Sequence, residues 1–138
     1  MTAIPWGAME ASSPITVGLV DDHGSVRKAL QALLSEPGDV AVVGAVESVD
    51  RALGMISQSH PDVLLLDLGL RDGSSLDSIP DLLARGGPDL RIVILTMDDN
   101  PGIRRTALER GASAFLLKDA SPDELFAAIR DVADGREG

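Results

Sequence analysis

Residues 63–68 read VLLLDL: four branched apolar residues, one carboxylate, then another leucine. The run does not alternate apolar with polar residues, as a half-buried strand does. Continuous runs of this kind mark strands covered on both faces, which occur in parallel sheets flanked by helices. Four more runs share its character: ITVGLV at 15–20, VAVVGAV at 40–46, RIVILTM at 91–97 and SAFLLK at 113–118.

Helical spacing fills the intervals. Val26, Ala29, Leu30, Leu33 and Leu34 follow an i, i+3, i+4, i+7, i+8 stripe. Ala52, Met55 and Ile56 form a shorter stripe after Ser48, which reads as an N-cap. Asn100-Pro101 reads as N-cap and first helical residue of a segment carrying Ile103, Ala107 and Leu108 and ending near Gly111. Ser121-Pro122-Asp123-Glu124 is a capping box ahead of Leu125, Ala128, Ile129 and Val132, with the helix ending at about Ala133. Leu76, Ile79, Leu82 and Leu83 suit a helix too, but Pro80 is expected to kink it or delay its start. A strand followed by a helix, five times over, predicts an α/β fold. Right-handed crossovers make it a five-stranded parallel doubly wound sheet with helices on both faces, strand order 2-1-3-4-5.

Composition narrows the function. Lys plus Arg is 12 and Asp plus Glu is 22, a net charge of −10. Such a surface repels nucleic acid and anionic membranes. The absence of cysteine removes disulfides, thiolate metal sites and cysteine nucleophiles. Trp6, Phe115 and Phe126 are too few for base stacking. No apolar run reaches the ~18 residues of a membrane span, and the N-terminus lacks the pattern of a secretory signal, so a cytoplasmic location is expected. Residues 1–14, MTAIPWGAMEASSP, read as a flexible tail ahead of a domain spanning 15–135.

In a sheet of this order, chemistry collects at the carboxyl ends of the strands. Asp21 and Asp22 end the first run, Asp67 the third, Thr96 the fourth and Lys118 the fifth. Neighbouring first and third strands bring three carboxylates together. Such a cluster is relieved by a hard divalent cation, and its all-oxygen donors favour Mg²⁺ or Mn²⁺. Asp67, inside an apolar strand, needs a partner, for which Lys118 and the metal are candidates. Lys118 is one of two lysines against ten arginines, consistent with a requirement for a compact point charge. A carboxylate held against a cation, with a lysine and a threonine ready for phosphoryl oxygens, is a phosphoryl-acceptor site.

VDDH, LLLDLGLRDG, VILTM and GASAFLLKDASPDEL together resemble the receiver domain of two-component response regulators, over residues 15–135. The DDH form and the KDASPDEL segment resemble the subfamily with a LuxR-type helix-turn-helix output. The resemblance implies a flavodoxin-like fold and a signalling switch, not a metabolic enzyme. Asp67 would accept a phosphoryl group from a cognate histidine kinase. Asp22 and Asp67 would bind Mg²⁺ directly, Asp21 through a water, and Gly69 would add its backbone carbonyl. Lys118 and Thr96 would hold phosphoryl oxygens, and Phe115 stands at the switching aromatic position. Met97, after Thr96, stands where a small residue is frequent and is expected to limit access of water. Residues 136–138 would begin a linker to an output domain, the sole route to DNA. A homodimer formed on phosphorylation is implied, through a face mixing Arg104, Arg105 and Arg110 with Asp119, Asp123 and Glu124, or through the first and fifth helices.

The sequence departs from the family pattern in the loop GLRDG at 69–73, which is short and lacks a proline, and in Gly24 opening the first helix. Three other functions compete. One is a degenerate or stand-alone receiver acting as a protein-interaction module. Another is a cobalamin module, for which Asp21 and His23 match part of a D-x-H-x-x-G loop but Val26 stands at its glycine. The third is a small hydrolase. His23 and His60 read as solvent-side or packing residues.

Overall fold

The computed structural model describes residues 13–71, 75–97 and 99–135. Residues 1–12 of the expected tail and the expected linker at 136–138 lie outside the described residues. The elements in chain order are β1 (Ile15–Val20), α1 (Gly24–Leu34), β2 (Val40–Val46), α2 (Val49–Ser59) and β3 (Val63–Asp67). They continue with α3 (Ser75–Gly86), β4 (Arg91–Thr96), α4 (Pro101–Glu109), β5 (Ala114–Leu117) and α5 (Pro122–Ala133). The strands are parallel in the order β2-β1-β3-β4-β5, as the sequence predicts.

The continuous runs are explained by burial on both faces. In β3, Leu64 and Leu66 pack with residues of α2, α3 and α4, including Ile56, Ile79 and Ala107. Val63 and Leu65 point the other way, onto Leu34 of α1 and Leu125, Phe126 and Ile129 of α5. The predicted caps close as written. Ser48 Oγ accepts the Arg51 N–H, Asn100 Oδ1 accepts those of Gly102 and Ile103, and Ser121 and Glu124 form a reciprocal box. His60 ends α2 in the left-handed region at φ 47°.

Three expectations are corrected. Pro80 lies inside α3, which is helical from Ser75 to Gly86. The exposed proline costs about 3 kcal/mol. Ile79 and Leu82, both fully buried, contribute about 1.5–3 kcal/mol each and outweigh it. On α1, only Leu34 of the five-residue stripe is buried, while Val26 and Ala29 are exposed. Leu108 on α4 also faces outward.

Between Val17 and Gly18 the β1–β2 register slips, so Val17 pairs with Val42 and Gly18 with Gly44. The slip places two glycines side by side beneath Met55 of α2. A Cβ on Gly18 would stand 2.6 Å from Met55 Cε, and one on Gly44 would collide with Met55 Sδ. A side chain at either position would have to displace Met55. Gly44→Val should destabilise the domain by about 1–3 kcal/mol in urea denaturation. In the presence of Met55→Ala the same substitution should cost less, giving a double-mutant coupling of opposite sign. Equal costs in both backgrounds would remove Met55 as the cause.

Candidate functional site

Parallel strands deliver their last residues to one edge of the sheet. Val20 of β1 pairs with Leu66 of β3, so Asp21 and Asp67 emerge beside one another. The Asp21 N–H continues the ladder to Val46 O at 3.0 Å, and Arg27 of α1 donates to the Asp21 carbonyl at 2.6 Å. Both Asp21 and Asp67 are 2% exposed. Asp22 is half-buried and accepts the Arg71 N–H at 2.8 Å, which ties the loop after β3 to the end of β1. Ser75 Oγ, at the start of α3, donates to Asp67 O at 2.7 Å and closes that loop from the other side.

Lys118 follows β5 and donates its backbone N–H to Thr96 O at 2.8 Å. Its ammonium reaches Asp21 Oδ2 at 3.2 Å in a hydrogen bond. It lies 3.1 Å from Asp67 Oδ2 as an ion pair. The sequence reading names Lys118 as a candidate partner of Asp67; the structure shares it between Asp67 and Asp21. Asp67 Oδ1 accepts the Gly69 N–H at 2.8 Å. Asp67, Gly69, Thr96, Met97 and Lys118 line an open cleft of about 330 Å³, with Thr96 buried at its wall and Met97 83% exposed at its lip.

Charge sets the electrostatics. Burial pushes the Asp67 carboxyl up, the Gly69 N–H and Lys118 pull it down, and the Asp21 charge adds to the rise; the net direction is upward. Burial also raises Asp21, but the His23 N–H and Lys118 outweigh it and the carboxyl lies below its ordinary value. Burial disfavours the Lys118 ammonium, yet the Asp67 and Asp21 carboxylates beside it dominate and raise its pKa.

The donors fit a divalent cation. Asp22 Oδ1 and Asp67 Oδ2 are buried and accept no hydrogen bond from the described residues. One donor atom from each of Asp21, Asp22, His23 and Asp67 lies within 4.8 Å of the others. Gly69 keeps the approach clear, since a Cβ there would stand 3.3 Å from Asp67 Oδ1.

His23 is solvent-side, as the sequence reading has it, and its ring also reaches the carboxylates. Its side chain is 51% exposed, but Nδ1 sits 3.2 Å from Asp21 Oδ1 and 3.3 Å from Asp22 Oδ1. The adjacency of His23 to the Asp21-Asp22 pair was the available signal. Ser75 and Arg27 gave none, because each acts through a backbone carbonyl. Phe115 is buried, with the Arg104 guanidinium 5.2 Å from its ring centroid. Arg110, expected on the mixed-charge face, donates to Asp77 Oδ1 of α3 at 2.7 Å.

The description "response regulator receiver domain" belongs to the family model that matches residues 17–130. The DNA-binding transcriptional activator DevR/DosR of Mycobacterium tuberculosis is 40% identical over 122 residues, covering 88% of this chain and 56% of the relative. The nitrate/nitrite response regulator protein NarL of Escherichia coli is 32% identical over 127 residues, covering 92% of this chain and 58% of the relative. The chain thus spans a little over half the length of these relatives. A LuxR-family two-component response regulator from Aurantimonas sp. SI85-9A1 superposes with a TM-score of 0.84 at 30% identity, covering 91% of this chain and 89% of that one.

The raised Asp67 carboxyl makes a stability prediction. A carboxyl whose folded pKa is raised costs stability in its charged form, so the cost is full above the folded value, declines as pH falls through it, and is gone below the unfolded value. Asp67→Asn should therefore raise Tm at pH 7. The gain should fade as pH falls through the raised Asp67 value, which lies above 3.8. Thermal melts at both pH values check this; a lower Tm for Asp67→Asn at pH 7 contradicts it.

Proposed function

The chain belongs to the response regulator receiver domain family, and from that premise we propose that it is a phosphorylation switch with Asp67 as the acceptor. One observation carries the reading: Asp67 is a buried carboxylate with an oxygen that accepts no hydrogen bond, opening into the cleft beside the Lys118 ammonium and Thr96. A carboxylate oxygen of Asp67 attacks the phosphorus of a phosphohistidine on a sensor kinase. The O–P bond forms, the P–N bond breaks, and the imidazole departs with a proton. Asp22 and Asp67 would hold Mg²⁺ or Mn²⁺, with Asp21 acting through water and the Gly69 carbonyl as a further ligand. The cation would offset the charge that accumulates when a phosphoryl group meets three carboxylates. Lys118 would trade a carboxylate for a phosphoryl oxygen, and Thr96 would donate its hydroxyl to another.

That exchange is the switch. Each bond from Lys118 or Thr96 to the phosphoryl group draws on β4 and β5, and Phe115 lies three residues before Lys118. The partner surface made by α4, β5 and α5 then differs between the two states. The relatives are described as a transcriptional activator and a nitrate/nitrite response regulator. By extension the state of Asp67 would control a helix-turn-helix output that carries the DNA contacts this acidic chain cannot make. Among the described residues, no helix is long and apolar enough to cross a membrane.

Incubation with Mg²⁺ and acetyl phosphate should add one phosphoryl group to the intact mass, and Asp67→Asn should add none. Label retained by Asp67→Asn contradicts the assignment. The same mass series followed over time should give a shorter lifetime for Met97→Ala, because Met97 stands at the lip of the cleft; an unchanged or longer lifetime removes that role. Phosphorylation-linked dimerisation should appear in sedimentation as a salt-sensitive rise in mass with beryllofluoride. A monomer in both states at high concentration would direct the signal to an intramolecular output instead.

A further inference from the structure

Resting on the cation reading above, we propose that His23 Nδ1 is itself a ligand of the divalent ion, giving the site a nitrogen donor and a preference for first-row transition ions over Mg²⁺. The spacing carries the inference. Adjacent donors on an octahedral ion with bonds of about 2.1 Å lie about 3.0 Å apart, and opposite donors about 4.2 Å apart. Nδ1 stands 3.3 Å from Asp22 Oδ1, near the adjacent spacing. It stands 3.9 Å from Asp67 Oδ2, between the two spacings. Both of these carboxylate atoms, Asp22 Oδ1 and Asp67 Oδ2, are the buried oxygens that accept no hydrogen bond. Asp67 is 2% exposed, and the Lys118 ammonium lies 3.1 Å from its Oδ2.

The backbone holds the imidazole there. The His23 N–H donates to Asp21 Oδ1 at 2.9 Å, folding the turn back on itself. His23 is also the N-cap residue of α1, yet its side chain makes no capping bond, so the ring is not spent on the helix. Nδ1 bonds Asp21 Oδ1 at 3.2 Å, and the ion would take the place of that bond, with the ring proton carried by Nε2. Mg²⁺ gains little from an imidazole, whereas Mn²⁺, Ni²⁺ and Zn²⁺ accept one readily.

The test uses the full chain with Mn²⁺, Ni²⁺ and Mg²⁺ alone, without phosphodonor. Electron spin-echo modulation of bound Mn²⁺ should show coupling to a ¹⁴N nucleus, and His23→Asn should abolish it. Calorimetry should find Ni²⁺ binding weakened about tenfold or more by His23→Asn, with Mg²⁺ binding changed less than about twofold. Bound Mn²⁺ without nitrogen coupling in the wild type overturns the proposal and leaves the oxygen-only cation site standing. Equal losses for Ni²⁺ and Mg²⁺ overturn it as well, since they assign His23 a structural part. Failure of every ion to bind the wild type overturns the cation reading and this proposal together.

Discussion

One ammonium ties three strands together at the working edge of the sheet. Lys118, just past β5, lies 3.2 Å from Asp21 after β1 and 3.1 Å from Asp67 at the end of β3. The parallel order makes this possible, because it sends every strand end to the same side. The pair count is unequal, three carboxylates against one buried cation, so the edge is held in a state of unfinished compensation. Loss of Lys118 would leave Asp21 and Asp67 without their ammonium, which costs several kcal/mol in a buried setting.

That imbalance links stability to activity. The same burial that raises the Asp67 carboxyl keeps it out of water and beside a cation-hungry pair of oxygens. A site tuned only for folding would replace one carboxylate by an amide. Retaining all three keeps an acceptor, a cation seat and a competitor for Lys118 in one place. The surrounding backbone contacts serve the same end. Arg27, Arg71 and Ser75 fix the two loops through carbonyl or amide groups, so the carboxylates are aimed by the chain itself.

The fold was legible because burial on two faces leaves a mark on sequence. VLLLDL admits few other readings, and capping residues at 48, 100 and 121 set helix starts to the residue. Pro80 misled because a local penalty was set against burial of Ile79 and Leu82, which no local pattern weighs. The α1 stripe misled in the opposite sense, since periodicity reports amphipathicity and not whether a neighbour covers it. At the site, Asp21, Asp22, Asp67, Thr96 and Lys118 stood at strand ends and were brought together as topology demands. Sharing of Lys118 between two carboxylates, the inward nitrogen of His23 and the turn of Arg110 toward Asp77 depend on rotamers, and rotamers are written by neighbours distant in the chain.

Among the described residues, β5 is the shortest strand, four residues, and sits at the edge of the sheet with β4 as its only partner. Its amides therefore belong to the most easily opened part of the ladder, where local unfolding free energies are well below the global value. Slow amide exchange should concentrate in β1 and β3, and Ala114–Leu117 should exchange sooner. The strand that carries Phe115 toward Lys118 is thus the least cooperative with the rest, a loosely hinged margin on a rigid sheet.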